Sequence, residues 1–215
     1  MRKRIHKYYE RLAVAKAAPR ADRKKVCAVL KVYQEFDAAV EKFQKLTGLR
    51  CPAGCGRCCD NPDVTVTLLE GAVVAAALER QKTLDHWLEK LKGNPGERVC
   101  VFLKKQDRSL AGKCSIYPWR PLICRGFGFS SRTDKNSLEA LVTCRLIKRQ
   151  KGSTCPQDQK RVEPGFFAPR VADYFRRLQG IDLPLTQQEI SINQAMQSAL
   201  ARTGLLLVME KGRVL

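Results

Sequence analysis

Residues 51–59 read CPAGCGRCC and place Cys51, Cys55, Cys58 and Cys59 within nine positions. No other stretch constrains the fold as strongly. Four thiols this close are poor packing material, and proline and glycine between them mark a loop. Short spacers let neighbouring loop residues converge on one metal without a preformed core. Glycines at 54 and 56 allow the backbone to turn closely around such an ion. Five more cysteines follow, Cys100, Cys114, Cys124, Cys144 and Cys155, which makes nine between 51 and 155. Thiolates suit zinc, iron and iron–sulfur clusters, and disfavour calcium and magnesium.

The compartment decides whether such a pattern means metal or disulfides. The N-terminus, MRKRIHKYYERLAVAKAAPR, begins like the basic start of a signal peptide. Lys7, Glu10, Arg11 and Lys16 then interrupt any apolar core. No stretch approaches the roughly eighteen apolar residues of a membrane span. A cytoplasmic location is expected, without a membrane, and there disulfides are rare. The net charge is +19, from 40 basic and 21 acidic residues. Ten of the basic residues stand in the first 25 positions. This excess favours anionic partners such as nucleic acid or an acidic protein face, engaged through the basic N-terminal region. It also offsets the negative charge of clustered thiolates.

The remaining pattern predicts a mostly α fold with a small irregular Cys-rich centre containing short β-strands. Residues 1–18 read as a basic helix ended by Pro19. Residues 22–47 read as a second, with Val26, Val29, Tyr33, Phe36, Val40 and Phe43 as its apolar stripe and Gly48 as its cap. Cys27 flanks this stripe and is expected as a small buried hydrophobe, not a ligand. Thr67 and Glu70 form a capping box that opens the next helix. Residues 83–92 continue helical, and GNPGE breaks the chain. Residues 98–104 and 113–117 are expected as two short strands. PWRPLICR allows a single helical turn, GFGFSS reads as irregular, and LEALVTCRL is ambiguous. A further helix is expected over 170–179. Thr186 and Glu189 suggest a second capping box opening a helix to about Ala201, with a short strand at the end. These readings divide the chain into a basic helical extension (1–49), a Cys-rich metal-binding domain (50–160) and a C-terminal helical segment packing on it (161–215).

The metal is less determined than the site. Cys55 and Cys58 fit half of a structural zinc site, while three or four thiolates suit a [4Fe–4S] cluster. Adjacent Cys58 and Cys59 are awkward for one mononuclear ion and suggest a second site, a bridging thiolate or a multinuclear cluster. Iron or an iron–sulfur cluster is expected, with zinc as the alternative. His6 and His86 lie far from the cysteines in sequence and are expected as surface residues. The C-x₃-C-x₂-C spacing of Cys51, Cys55 and Cys58 resembles the radical-SAM signature. The βα alternation of that fold is missing, and Arg57 stands where an aromatic residue is usual before the third cysteine.

CPAGCGRCC, then CVFL, then CSIYPWRPLICR resemble the YkgJ-like cysteine-cluster family, the CxxCxxCC family described as zinc- or iron-chelating. The resemblance covers roughly residues 50–130. The family name implies two residues between the first cysteines, whereas this chain has three, Pro52 to Gly54. The resemblance implies Cys51, Cys55, Cys58, Cys59, Cys100, Cys114 and Cys124 as ligands, and extends to Cys144 and Cys155. It implies metal binding, and the first reading of the chain is a metal-binding protein with a structural or electron-transfer role. The flagellin lysine-N-methylase is similar in its cysteine cluster, which opens the reading of a metal-dependent modifying enzyme. No nucleotide-binding glycine motif after a strand supports it. The basic N-terminus keeps open a nucleic-acid binder with a structural metal, although zinc-finger histidines and RRM or KH signatures are missing. Arg120 and Arg125 flank Cys124 and could donate to thiolate or sulfide. Pro118 and Pro121 would stiffen the turn presenting Cys124.

Overall fold

A computed structural model of the chain describes residues 2–52, 55–93, 96–105, 112–133, 139–148 and 168–212. The chain begins with α1 (Arg2–Ala17) and α2 (Arg20–Thr47), then β1 (Thr65–Val66), α3 (Leu68–Arg80) and α4 (Leu84–Lys92). A hairpin follows, β2 (Leu103–Lys105) and β3 (Gly112–Cys114), with a 3₁₀ turn at Tyr117–Trp119 and α5 (Leu122–Gly126). Next come β4 (Ser130–Thr133), β5 (Glu139–Val142), α6 (Arg145–Lys148), α7 (Val171–Gln179), α8 (Leu183–Thr186), β6 (Ile190–Ser191) and α9 (Ile192–Gly212). The fold is mostly helical, with three antiparallel strand pairs, β1–β6, β2–β3 and β4–β5. Among the described residues no helix is long and apolar enough to cross a membrane.

α3 is the central element. Every residue from Leu69 to Leu78 is buried, as expected for a helix that is apolar all round. One side meets α1 and α2 in a core that includes Val14, Val26, Tyr33, Phe36, Leu69 and Val73. The other side meets α4 and α9 in a second core with Val74, Leu78, Trp87, Phe102, Met196 and Leu200. The α2 stripe is wholly buried, and Gly48 caps that helix at φ 69°, its N–H donating to Gln44 O. The capping box at Thr67 is present, with Glu70 N–H on Thr67 Oγ1 at 3.3 Å and Thr67 N–H on Glu70 Oε2 at 3.2 Å. Asp22 is buried at the start of α2, where Arg202 of α9 forks across its two carboxylate oxygens. Lys25 reaches Asp182 at 2.6 Å, so the start of α2 is joined by ion pairs to the start of α8 and the middle of α9.

Several local expectations are corrected. Cys27 is exposed, because it follows Val26 by one residue and so turns off the inward stripe. The strand expected over 98–104 is limited to Leu103–Lys105. Its earlier part is claimed by α9, since Val101 N–H donates to Asn193 Oδ1 while Asn193 Nδ2 donates to Glu97 O and Val99 O. The strand expected over 113–117 ends at Cys114, because Tyr117–Trp119 coil into the 3₁₀ turn. GFGFSS is only partly irregular, because its two serines open β4. LEALVTCRL resolves into β5 followed by α6. Thr186 does not cap α9, because its hydroxyl donates to Asp182 O and Leu183 O within α8. α9 begins later, where β6 pairs with β1, and it remains helical through Gly212 in place of the expected terminal strand.

α3 and α9 touch at close range. A Cβ at Gly71 would stand 2.5 Å from Ala199 Cβ and 3.3 Å from Ala195 O. Gly71→Ala should therefore lower the thermal midpoint, by an overpacking cost of about 1–3 kcal/mol. Gly96→Ala, where a Cβ meets nothing within 4 Å, should leave it unchanged. Thermal denaturation of both variants checks this, and equal midpoints would contradict the close crossing.

Candidate metal centre

Three segments deliver the seven cysteines from Cys51 to Cys124, and a fourth, between β5 and α6, carries Cys144. The first leaves α2 through Leu49, which is fully buried and anchors the loop. It then turns tightly, with Cys55 N–H on Pro52 O at 3.2 Å and Cys59 N–H on Gly56 O at 2.9 Å. Gly56 lies against the hairpin, where a Cβ would come within 2.7 Å of Leu103 Cδ1 and 3.2 Å of Gly112 Cα. Its smallness thus serves close contact with the hairpin. The second segment is stitched to the first by Cys100 N–H on Cys59 O at 3.0 Å. It continues into β2, where Leu103 pairs with Cys114 of β3.

The third segment holds Cys124 on α5, and two charged residues fix it. Arg125 is buried, and its guanidinium donates to Asp37 Oδ2 at 2.7 Å, Pro118 O at 2.6 Å and Arg120 O at 2.8 Å. It also stacks on the Tyr33 ring at 4.2 Å. Arg125 therefore clasps the Pro118–Pro121 turn and does not donate to sulfur as the sequence suggested. Glu70 supplies the other tie. Its Oε1 accepts from Leu122 N–H at 2.8 Å and from the Tyr33 hydroxyl at 3.3 Å. Neither the Glu70 tie nor the Arg125 clasp is visible in the sequence, apart from the capping box that marks Glu70 as structural. Arg120 lies over Tyr117 at 3.9 Å and lines the cysteine cavity.

Cys51, Cys55, Cys58, Cys59, Cys100, Cys114 and Cys124 line one cavity of about 400 Å³. A larger cavity of about 590 Å³ adjoins it, sharing Cys51, Cys55, Cys58 and Cys124 and adding Cys144. Ile147 N–H donates to Cys144 Sγ at 3.5 Å. Cys155 and the side chain of His6 lie outside the described residues. His86 is an exposed residue of α4, edge-on to Trp87 and apart from both cavities. All nine described cysteines are free thiols.

The thiols govern one another's ionisation. Cys59 shares hydrogen bonds with Cys100, Cys114 and Cys58, and these push its pKa up. Cys58 is pulled down to about 6, first by its hydrogen bond with Cys59 and then by the Arg120 charge. Cys114 is lowered by its bond with Cys59, with the Ile116 N–H and Arg120 assisting. Cys51, although exposed, has its thiol pushed up to about 11 by partial desolvation and by Cys55, Cys58 and Cys144. Burial pushes Cys124 up, reinforced by Cys100 and Cys58. Some thiolates are stabilised at the expense of neighbours, and a cation is what lets more of them ionise together. Among the described residues no three donors yet enclose a single point. Thiol and thiolate groups instead satisfy one another, and metal binding exchanges the remaining protons for the ion. The donor set fits a thiophilic metal, since no histidine or carboxylate accompanies the thiols in the described lining of the smaller cavity.

A family model described as "Putative zinc- or iron-chelating domain", CxxCxxCC, matches residues 50–157, half of the chain. The chain belongs to this family. The CxxCxxCC span takes in all nine clustered cysteines and leaves out Cys27. An uncharacterized protein of Methanocaldococcus jannaschii is 27% identical over 133 residues, covering 60% of this chain and 71% of the relative. No solved structure matches the chain. Family membership supports metal binding in general and leaves the metal and its role to the chemistry of the site.

Glu70 gives this region a pH dependence. Burial raises its pKa, opposed by the donors at Leu122, Thr67 and Tyr33. A carboxyl with a raised folded pKa contributes stability below its unfolded pKa and loses it as pH rises through the folded value. Glu70→Gln cannot ionise. The thermal midpoint of the wild type minus that of the variant should therefore fall as pH rises above the ordinary glutamate range, about pH 4. A difference that stays constant or grows would contradict the buried carboxyl's role.

Proposed function

We propose that this chain holds a thiolate-ligated centre of iron or an iron–sulfur cluster, with a structural or electron-transfer role. The observation that supports it is the convergence of seven thiols from three segments on one cavity. A single structural zinc site uses four ligands, fewer than the cavity offers. Cys58 and Cys59, free thiols adjacent in sequence on one cavity, suit a multinuclear centre better than one ion. Lys113 and Arg120 line the same cavity and offset thiolate charge. Bound iron would supply a one-electron couple there, whereas zinc would supply only a cross-link.

The ligands are Cys51, Cys55, Cys58, Cys59, Cys100, Cys114 and Cys124 in this reading. The test is elemental analysis with an absorption spectrum of protein purified anaerobically without added metal. Iron with a broad band near ~400 nm is expected. Zinc without that band would overturn the iron assignment, and protein with free thiols and neither metal would overturn the centre.

Two variants test the ligand assignment. Cys124→Ser should lower metal content and the unfolding midpoint together, because the metal is part of the folding free energy. Cys27→Ser, at an exposed position outside the family span, should change neither. The reverse result would invert the assignment.

A further inference from the structure

The eight described cysteines near the two cavities do not form a uniform group. Cys100 belongs to the core made by α4 and α9, and Cys59, Cys114 and Cys124 pack against it. Cys144 packs against the opposite core, with α2 and α7. The sulfur contacts divide in the same way. Cys59 is coupled electrostatically to Cys100 and Cys114, whereas Cys51 is coupled to Cys55 and Cys144. Cys59, Cys100 and Cys114 line only the smaller cavity, and Cys144 only the larger. Cys51, Cys55, Cys58 and Cys124 line both, and of these Cys58 is coupled both to Cys59 and to Cys51.

We propose that the cysteines form two metal sites: a closed inner site of Cys59, Cys100, Cys114 and Cys124, and an open outer site of Cys51, Cys55 and Cys144 that takes an exogenous anionic ligand. This rests on the thiolate centre proposed above. Cys58 stands between the sites as the bridging position. Four thiolates close a coordination shell, as in structural sites, while three leave a position open, as in reactive ones. The open position faces the cavity of about 590 Å³. That volume lies within the roughly 300–1,000 Å³ of small-molecule pockets. Its walls include the aromatic rings of Trp119, Phe127 and Phe129 and the guanidinium groups of Arg57 and Arg120. Arg120 has a buried Nε with no hydrogen-bond partner. The three acids of the same lining are each paired with a base, Glu10 with Arg80, Asp37 with Arg125 and Glu41 with Lys45. The cavity thus offers donors and positive charge beside the metal, which selects a small anionic ligand with an apolar body.

The test uses the full chain, stripped of metal under reducing conditions and titrated with Co(II) alone. Cobalt–thiolate absorption should develop in two steps totalling two equivalents. Azide, added as the anionic probe, should alter the bands of one equivalent only. Cys144→Ser should lose the azide-sensitive equivalent and keep the other, and Cys51→Ser should do the same. Cys114→Ser should lose the azide-insensitive one. A single step of one equivalent, or loss of all cobalt in both Cys144→Ser and Cys51→Ser, would overturn the two-site division. Two equivalents with no response to azide would overturn the open position. Wild-type protein that takes up no cobalt would instead overturn the thiolate centre itself.

Discussion

Negative charge on one thiol of this protein raises the cost of ionising the next. Cys51 is pushed up partly by Cys55, Cys58 and Cys144, and Cys124 partly by Cys100 and Cys58. Arg120 relieves this at Cys58 and Cys114 but cannot neutralise seven sulfurs. Without a cation the group is therefore held as thiols and thiolates that share hydrogen bonds, and fuller ionisation needs a cation. The rest of the structure acts to keep the thiols close enough for this coupling to matter.

The helical framework achieves that through polar ties at its edges. α3 carries almost no polar surface over its middle, so its packing on α2 and α9 sets the distance between the two cores. At its N-terminus Glu70 joins Tyr33 of α2 to Leu122 of α5, two residues from Cys124. Arg125 joins Asp37 of α2 to the turn that precedes α5. Asn193 at the start of α9 holds the backbone on either side of Cys100. The segments carrying Cys100 and Cys124 are thus fastened to helices by buried or half-buried polar side chains, in the region where irregular backbone needs its hydrogen bonds supplied from outside.

The elements with strong periodicity were legible in the sequence. The α2 stripe, its glycine cap and the Thr67–Glu70 box appear where their patterns place them, because each rests on contacts within a few residues. The corrected elements depend on distant partners. Residues 98–102 have the composition of a strand but lose it to Asn193, more than ninety positions away. Thr186 and Glu189 have the spacing of a capping box, yet the pairing of β6 with β1 delays α9 until Ile192. For the site, spacing identified the cysteines that the cavities bring together. It could not assign Arg125 to backbone carbonyls, nor Gly56 to the hairpin, because those roles follow from which surfaces meet.

A centre of this kind would join segments that the chain separates by 41 residues from Cys59 to Cys100 and 65 from Cys59 to Cys124. Closing such loops costs conformational entropy that the helical cores do not repay locally. Metal binding should therefore stabilise the Cys-rich half selectively, while α1, α2, α3 and α9 rest on their own packing. Hydrogen–deuterium exchange of the purified protein before and after metal removal by a chelator measures this directly. The account predicts that protection falls at residues 55–59, 99–105 and 112–126 and is retained along the middle of α2, α3 and α9. Unchanged protection around the cysteines, or an equal loss along every helix, would contradict it.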